Sequence, residues 1–301
     1  MLIKNNRELK FLTMSHYSQI KEYEKNTNKK FFHSLIKDLD EFININFYAH
    51  QAFEHAFNGS IGAPVHEKLR NGAKVLEFGC GTGVWTTEVA AEYPNSKFYA
   101  IDFTTQNSIN DNITFISYDI HQVLPFPDNE FDYVFSRNKT DFFTKNNFQG
   151  FLFEVFRVLK PGGWLEIGHT LFVDVSNLGP AYIKMDAAYI SWHKERGIDF
   201  DLITHFEDYL QMTGKAEFIS SQIVKIPIGG DGLGEFYSEA ATYFVKLMKE
   251  FLAPYMGVSF EEYDRLASEI GDEIIDKRGE IYSEQKRVFA RKKVMKILKE
   301  S

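Results

Sequence analysis

Lys74-Val75-Leu76-Glu77-Phe78-Gly79-Cys80-Gly81-Thr82-Gly83-Val84-Trp85-Thr86 is the stretch that decides the fold. Val75 to Phe78 reads as a short buried strand broken by one carboxylate. Glycines follow at 79, 81 and 83, and a helix is expected from Val84 to Ala91. A strand, a glycine turn and a helix N-terminus make a cradle, because backbone approaches a ligand closely where no Cβ intervenes. A dinucleotide fingerprint would need a small residue at position 84, and Val84 stands there. Glu77 would repel a pyrophosphate in that cradle, whereas it suits an ammonium group. The ligand these residues describe is a nucleoside with an amino-acid tail and no phosphate.

S-adenosylmethionine (SAM) is such a ligand. From Ala73 to Thr170 the chain resembles the class I SAM-dependent methyltransferases, whose first motif is an acidic residue, any residue, then G-x-G-x-G. A tight strand–helix turn that holds no ligand is the competing reading.

Working outward, the 301 residues suffice for one large domain or a domain with an elaborated lid. Hydrophobic residues make up 44% and charged residues 25%, the proportions of an ordinary globular chain. The 29 Phe read first as core and second as an aromatic pocket. The single cysteine, Cys80, permits no intramolecular disulfide, so nothing indicates an oxidising compartment. Neither a leader nor a membrane-spanning run is visible, and a cytoplasmic or nuclear location is expected. The net charge of −8 disfavours nucleic acid as a partner. Lys286, Arg287, Arg291, Lys292, Lys293, Lys296 and Lys299 form the one basic run. It reads as a solvated edge strand and tail, against a localisation signal or anion patch.

Residues 1–30 are polar and carry little periodicity, and two helices are expected between Phe31 and Phe57. A strand at 97–101 ends in Asp102, another at 112–117 is followed by Asp119, and a fourth spans 131–136. A helix over 147–159 stops at Lys160-Pro161-Gly162-Gly163, before a fifth strand at 164–169. Helices are expected at 180–195 and 199–212 and a strand at 217–226. Helix 233–252 and a helix opened by the capping box Ser259-Phe260-Glu261-Glu262 follow, then a last strand at 281–290. Alternating strands and helices imply an α/β, doubly wound, Rossmann-like sheet. The resemblance implies seven strands in the order 3-2-1-4-5-7-6, with N-terminal helices and a helical insertion before the last strand. The expected organisation is a tail and helical lid over 1–70 and a methyltransferase domain over 71–301, with cap segments 180–212 and 233–278.

In such sheets ligands lie outside the carboxyl ends of the strands, where strand order reverses. By resemblance, Glu77, Gly79, Gly81 and Gly83 hold the cofactor's tail, and Asp102 accepts from both ribose hydroxyls. A helix N-cap is the other reading of Asp102. Asp119 would accept from the adenine amino group and Ile120 would offer its backbone N–H, with a turn aspartate as the competitor. Phe103 covers an adenine face or belongs to the core. Arg137 and Asn138 lie beside the methionine part, where an Arg can pair with a carboxylate, or else they form an exposed loop. The methyl sulfonium is already activated, so the protein mainly aligns it and excludes water. A base is needed only for some acceptors. His169, Asp141, Tyr48 and His50 are weak candidates for it, and each alone reads more readily as structural.

No H-E-x-x-H, Cys pair or tight His/Asp cluster points to a metal, and no Walker lysine follows the glycines. Ser136-Arg137-Asn138-Lys139 lacks the N-P-P-[FY] signature of methyltransferases that act on flipped adenines. The runs Leu124 to Asp132 and Arg157 to Trp164 are similar to small-molecule methyltransferases. Glu92-Tyr93-Pro94-Asn95-Ser96 and Ile228-Gly229-Gly230 look like fungal members of that branch, some of which regulate secondary metabolism. The resemblance therefore implies methyl transfer to a small or medium-sized acceptor. A SAM-binding regulatory module that acts through a protein partner is the alternative.

Overall fold

The computed structural model describes residues 39–103, 110–120, 122–139, 142–173, 178–198, 200–230, 232–276 and 280–294. Helices α1 (Leu39–Phe57) and α2 (His66–Arg70) precede β1 (Lys74–Phe78), α3 (Val84–Glu92), β2 (Lys97–Asp102), β3 (Ile113–Ser117) and β4 (Phe131–Arg137). Then come α4 (Lys145–Val158), β5 (Leu159–Val173), α5 (Pro180–Glu195), α6 (Asp201–Thr204), α7 (Phe206–Met212) and β6 (Ala216–Pro227). Helices α8 (Leu233–Leu247), α9 (Lys249–Met256) and α10 (Phe260–Asp276) separate β6 from β7 (Tyr282–Lys292).

The seven strands pair in the expected order β3-β2-β1-β4-β5-β7-β6. The first five are parallel, and β7 runs antiparallel to both β5 and β6. The strands of the parallel part are apolar on both faces because helices cover both. On one face Leu76, Phe78, Ile101, Val134 and Leu165 pack under Phe148, Leu152, Val155 and Phe156 of α4. Thr144 starts that helix by accepting the Asn147 N–H through its hydroxyl at 3.3 Å, which satisfies one of the donors a helix start leaves open. On the other face Val75, Phe98, Tyr133 and Phe135 meet Trp85 and Val89 of α3, with Trp85 stacked 3.9 Å from the Phe135 ring. A third core lies away from the sheet, where α5, α8, α9 and α10 bury Met185, Leu247, Leu252, Tyr263 and Ile274 together.

Several boundaries depart from the sequence reading. The run 233–252 is two helices that meet at Met248, and 199–212 holds two that meet at His205. A break of one residue leaves an apolar stripe in phase on both sides, so periodicity passes over it. The fifth strand is longer than expected and starts at Leu159. The expected helix within 31–38 lies outside the described residues, and Leu39–Phe57 is one continuous helix.

The strand part of the basic run is not a solvated edge, while Lys293 just beyond it is exposed. β7 lies inside the sheet, and Lys286 and Arg287 are each only 4% exposed. The Lys286 ammonium donates to Glu207 Oε2 at 2.6 Å and to the Thr204 carbonyl at 3.0 Å. Arg287 donates to Gln222 Oε1 at 2.7 Å and covers the Phe57 ring at 4.5 Å. These cations close the core between β7 and its neighbours. Lys296 and Lys299 lie outside the described residues.

Candidate functional site

Register alone brings the acidic pair together. Glu77 pairs with Ala100 across the parallel β1–β2 ladder and with Phe135 across β1–β4. Side chains two residues apart share a face, so Glu77, Asp102 and Arg137 all rise from one side of the sheet at its carboxyl end. Glu77 and Asp102 are 5% and 2% exposed.

The glycine turn is built on this group. Gly79, Gly81 and Gly83 take φ of 71°, 55° and 70°, in the left-handed region where a Cβ is penalised. The N–H groups of Gly79 and Cys80 both donate to the Ile101 carbonyl, at 2.8 and 3.1 Å. The Gly81 N–H donates to Asp102 Oδ2 at 2.8 Å. A Cβ on Gly79 would meet the Lys139 stem at 2.6 Å, and one on Gly81 would meet Asn46 Oδ1 at 2.7 Å. The hollow above the turn is thus spanned by two movable polar side chains, one from the end of β4 and one from α1. Lys139 Nζ also stands 4.0 Å from Asp102 Oδ2.

Glu77 accepts from both the hydroxyl and the backbone N–H of Thr86 in the first turn of α3. Burial pushes its carboxyl up to about 7, against the opposing pull of those bonds and of the charges on Arg137 and Lys139. Arg137 is pulled down to about 10 by burial. Its Nη2 donates to His50 Nδ1 at 3.0 Å, while Nη1 is buried and has no hydrogen-bond partner among the described residues. The rest of the guanidinium lies 5.2 Å from the Phe53 ring centroid and 5.9 Å from that of Phe135. Cys80 is buried among these groups, and burial drives its thiol pKa well up, which keeps it a neutral, inert thiol.

His50 is fully buried, and burial lowers its pKa. Arg can only donate, so His50 Nδ1 accepts and Nε2 carries the proton, which goes to Glu88 Oε2 at 3.0 Å. Glu54 Oε2 lies 3.9 Å from the same nitrogen, and His50, Glu54 and Glu88 gather close enough to suggest a cation site. The tautomer argues against that use: the nitrogen facing the carboxylates holds the proton a metal would have to replace, while the other nitrogen is taken by Arg137.

Beyond Asn46 and Lys139 opens a cavity of about 930 Å³. Asn46 and Lys139, which also overhang the glycine turn, line it together with Asn138 and with His169 and Thr170 of β5, which continues to Val173. The remaining lining comes from α1, α5, α8, α9 and α10 and is mostly apolar and aromatic. Asn138 takes the left-handed conformation (φ 53°), donates its N–H to the Gly168 carbonyl and accepts from the Thr170 N–H, which locks the β4 end to β5. His169 is 4% exposed, and its Nδ1 lies 2.6 Å from the Thr170 carbonyl. A carbonyl only accepts, so Nδ1 carries the proton of this contact.

Of the residues the sequence singled out, the structure brings Glu77, the three glycines, Asp102 and Arg137 together at one hollow, while Asn138 and His169 line the adjoining cavity. Asp119 sits in a turn whose carbonyl accepts the Gln122 N–H, Ile120 is packed into the core, and Phe103 is half-buried at the β2 end. Two base candidates are placed elsewhere. Tyr48 stacks on Tyr243 at 5.9 Å between α1 and α8, and His50 is enclosed under α1. Asp141 lies outside the described residues. Lys139, Asn46 and Thr86 were missed. A cation directly after Arg137-Asn138 was the available signal for Lys139; Asn46 and Thr86 gave none.

A family model described as a methyltransferase domain matches residues 75–163. Demethylmenaquinone methyltransferase from Listeria monocytogenes is 34% identical over 173 residues, 49% of this chain and 71% of that protein. Sterol 24-C-methyltransferase from Pneumocystis carinii is 31% identical over 109 residues, 33% of this chain and 28% of that protein. The chain thus spans only about 28% to 32% of the sterol methyltransferases it matches. Among solved structures, Haemonchus contortus phosphoethanolamine N-methyltransferase 2 in complex with SAM aligns with a TM-score of 0.48 and 18% identity, over 86% of this chain and 59% of that one. The chain belongs to the SAM-dependent methyltransferases of class I. No helix among the described residues is long and apolar enough to cross a membrane.

Proposed function

We propose that the protein transfers the methyl group of SAM to a small or medium-sized acceptor seated in the 930 Å³ cavity. One observation carries this reading: Asn46 and Lys139 overhang the glycine turn and also line the cavity. A methyl group held over the first would face a nucleophile held in the second.

The residues of the hollow fit SAM. Among the described residues Arg137 Nη1 is a buried donor without a partner, which the cofactor's carboxylate would complete. Glu77 offers a carboxylate to the ammonium, and Asp102 offers one to the ribose diol once Lys139 and Asn46 swing aside. The bound cofactor supplies a methyl group already activated on a sulfonium sulfur. The chain's own contribution is alignment and exclusion of water, which helices 39–57, 180–212 and 233–276 provide by capping the site. Where the acceptor must lose a proton, His169 is the base candidate that lines the cavity, its ring held by the Nδ1–H contact to the Thr170 carbonyl. The names of the relatives, sterol and demethylmenaquinone methyltransferases, suit an acceptor of this size.

A thermal-shift titration with SAM and its demethylated product, paired with radiolabelled methyl transfer into metabolite extracts, tests the reading. A melting temperature that climbs with ligand, plus labelled product, supports it. No shift with either ligand overturns it. A shift without transfer favours the regulatory module that works through a protein partner. Asp102→Ala should weaken SAM binding roughly tens-fold by removing a charge-assisted acceptor; unchanged affinity would reject its ribose role.

A further inference from the structure

We propose that the ligand of the cavity carries a protonated nitrogen on an otherwise apolar body, and that Asp186 is its anchor. This rests on the reading of the cavity as the acceptor site. Residues 182, 186, 189 and 193 fall on one stripe of α5, and Tyr182, Asp186, Tyr189 and His193 all line the cavity. Asp186 is half-buried there and, among the described residues, no donor or cation engages it. The cations on the same wall are placed elsewhere: Lys139 stands by Asp102, and Lys246 lies 5.4 Å over the Tyr243 ring. Asp264, at the cavity's other side, is already paired with Lys249 at 2.6 Å. His193 directs its Nδ1–H to the Tyr189 carbonyl at 2.9 Å.

A carboxylate among hydrocarbon and aromatic rings is costly unless an opposite charge joins it. Burial alone raises its pKa, in keeping with a group whose partner arrives from outside. Tyr182, Tyr189, Tyr237 and Phe244 also line the cavity, and aromatic rings attract the same cation that a carboxylate does. A metal ion would need several hard oxygen ligands, and one carboxylate does not make that set. Met185, Ile228, Leu247 and Leu252 offer apolar surface to the rest of the ligand.

Calorimetric titration of the full chain with dodecylamine, 1-dodecanol and dodecanoate, each below its micelle concentration and with S-adenosylhomocysteine present, tests this. Dodecylamine is expected to bind at least about tenfold tighter than the alcohol, with the acid weakest, since one desolvated ion pair exceeds that discrimination. Asp186→Asn should erase the amine preference while leaving dodecanol and S-adenosylhomocysteine binding unchanged. It should not lower the melting temperature; a fall would mark the carboxylate as structural and overturn the proposal. An equal preference in the variant, or none in the native chain, also overturns it. If S-adenosylhomocysteine binds and no alkyl probe does, this proposal fails and the donor site stands. If the amine preference is present and S-adenosylhomocysteine does not bind, the cation site stands and the methyl-transfer reading fails.

Discussion

Glu77 works as a carboxylate whose proton is poised rather than fixed. Burial raises it to about 7, and Thr86 and Arg137 keep it from rising further. In the unfolded chain it titrates near the ordinary 4.5, so between 4.5 and 7 the folded protein holds a proton the unfolded chain has lost. Stability therefore falls as pH rises through that window, and Glu77→Gln should flatten the slope in denaturant titrations at successive pH values. A ligand ammonium favours the ionised carboxylate. Binding of S-adenosylhomocysteine at pH 6.5 should thus release a proton, measured by calorimetry in buffers of different ionisation heat, and at pH 8.5 it should not. Proton-neutral binding at both would detach Glu77 from the ligand. The acidic pair was legible in the sequence because strand ends in a parallel sheet converge on one edge whatever the helices do. The bond from Arg137 to His50 was not, since it joins positions 87 apart through the docking of α1.

At the scale of elements, α5 is held by a carboxylate from a different helix. Glu273 of α10 accepts the N–H groups of Ala181 and Tyr182, at 2.9 and 3.0 Å, and so meets the positive end of α5. Gly179 makes room for it: a Cβ there would lie 2.1 Å from the Glu273 carboxylate. Gly179→Ala should lower stability by about 1–2 kcal/mol, the scale of a lost helix cap. Glu273→Ala should cost a similar amount, and the double variant little more, because both remove one arrangement. Urea denaturation of the three variants checks this, and full additivity would refute the shared cause. Helix 180–195 itself was readable from Pro180 and its apolar spacing. Its cap was not, because four helices and one strand separate α5 from Glu273, and the contact follows no local rule.

Across the whole molecule, one buried cluster ties the N-terminal segment to the sheet. Glu166 of β5 accepts from the N–H groups of Gly62 and Ala63, at 2.9 and 2.8 Å, and from the Tyr133 hydroxyl at 2.9 Å. Arg287 stands 3.8 Å from its other oxygen and covers Gly62 closely. Arg287→Met should destabilise by about 3 kcal/mol, since it leaves a buried carboxylate without its counter-charge. Glu166→Gln in that background should recover part of the loss, measured by thermal denaturation; no recovery would show that packing against Phe57 is the larger effect. The strand order was legible because alternation and the glycine turn admit few topologies. The burial of β7's cations was not, since a lysine and an arginine in a basic run look the same in solvent and in a paired core.

The placement of β7 has a consequence for synthesis. The strand made last, residues 282–292, is inserted between β5 and β6, which were both made earlier. On the ribosome, β5 therefore waits with an unpaired flank while more than a hundred further residues emerge. A nascent chain stalled anywhere in that interval exposes a ready template for intermolecular pairing, so protection by chaperones matters most late in translation.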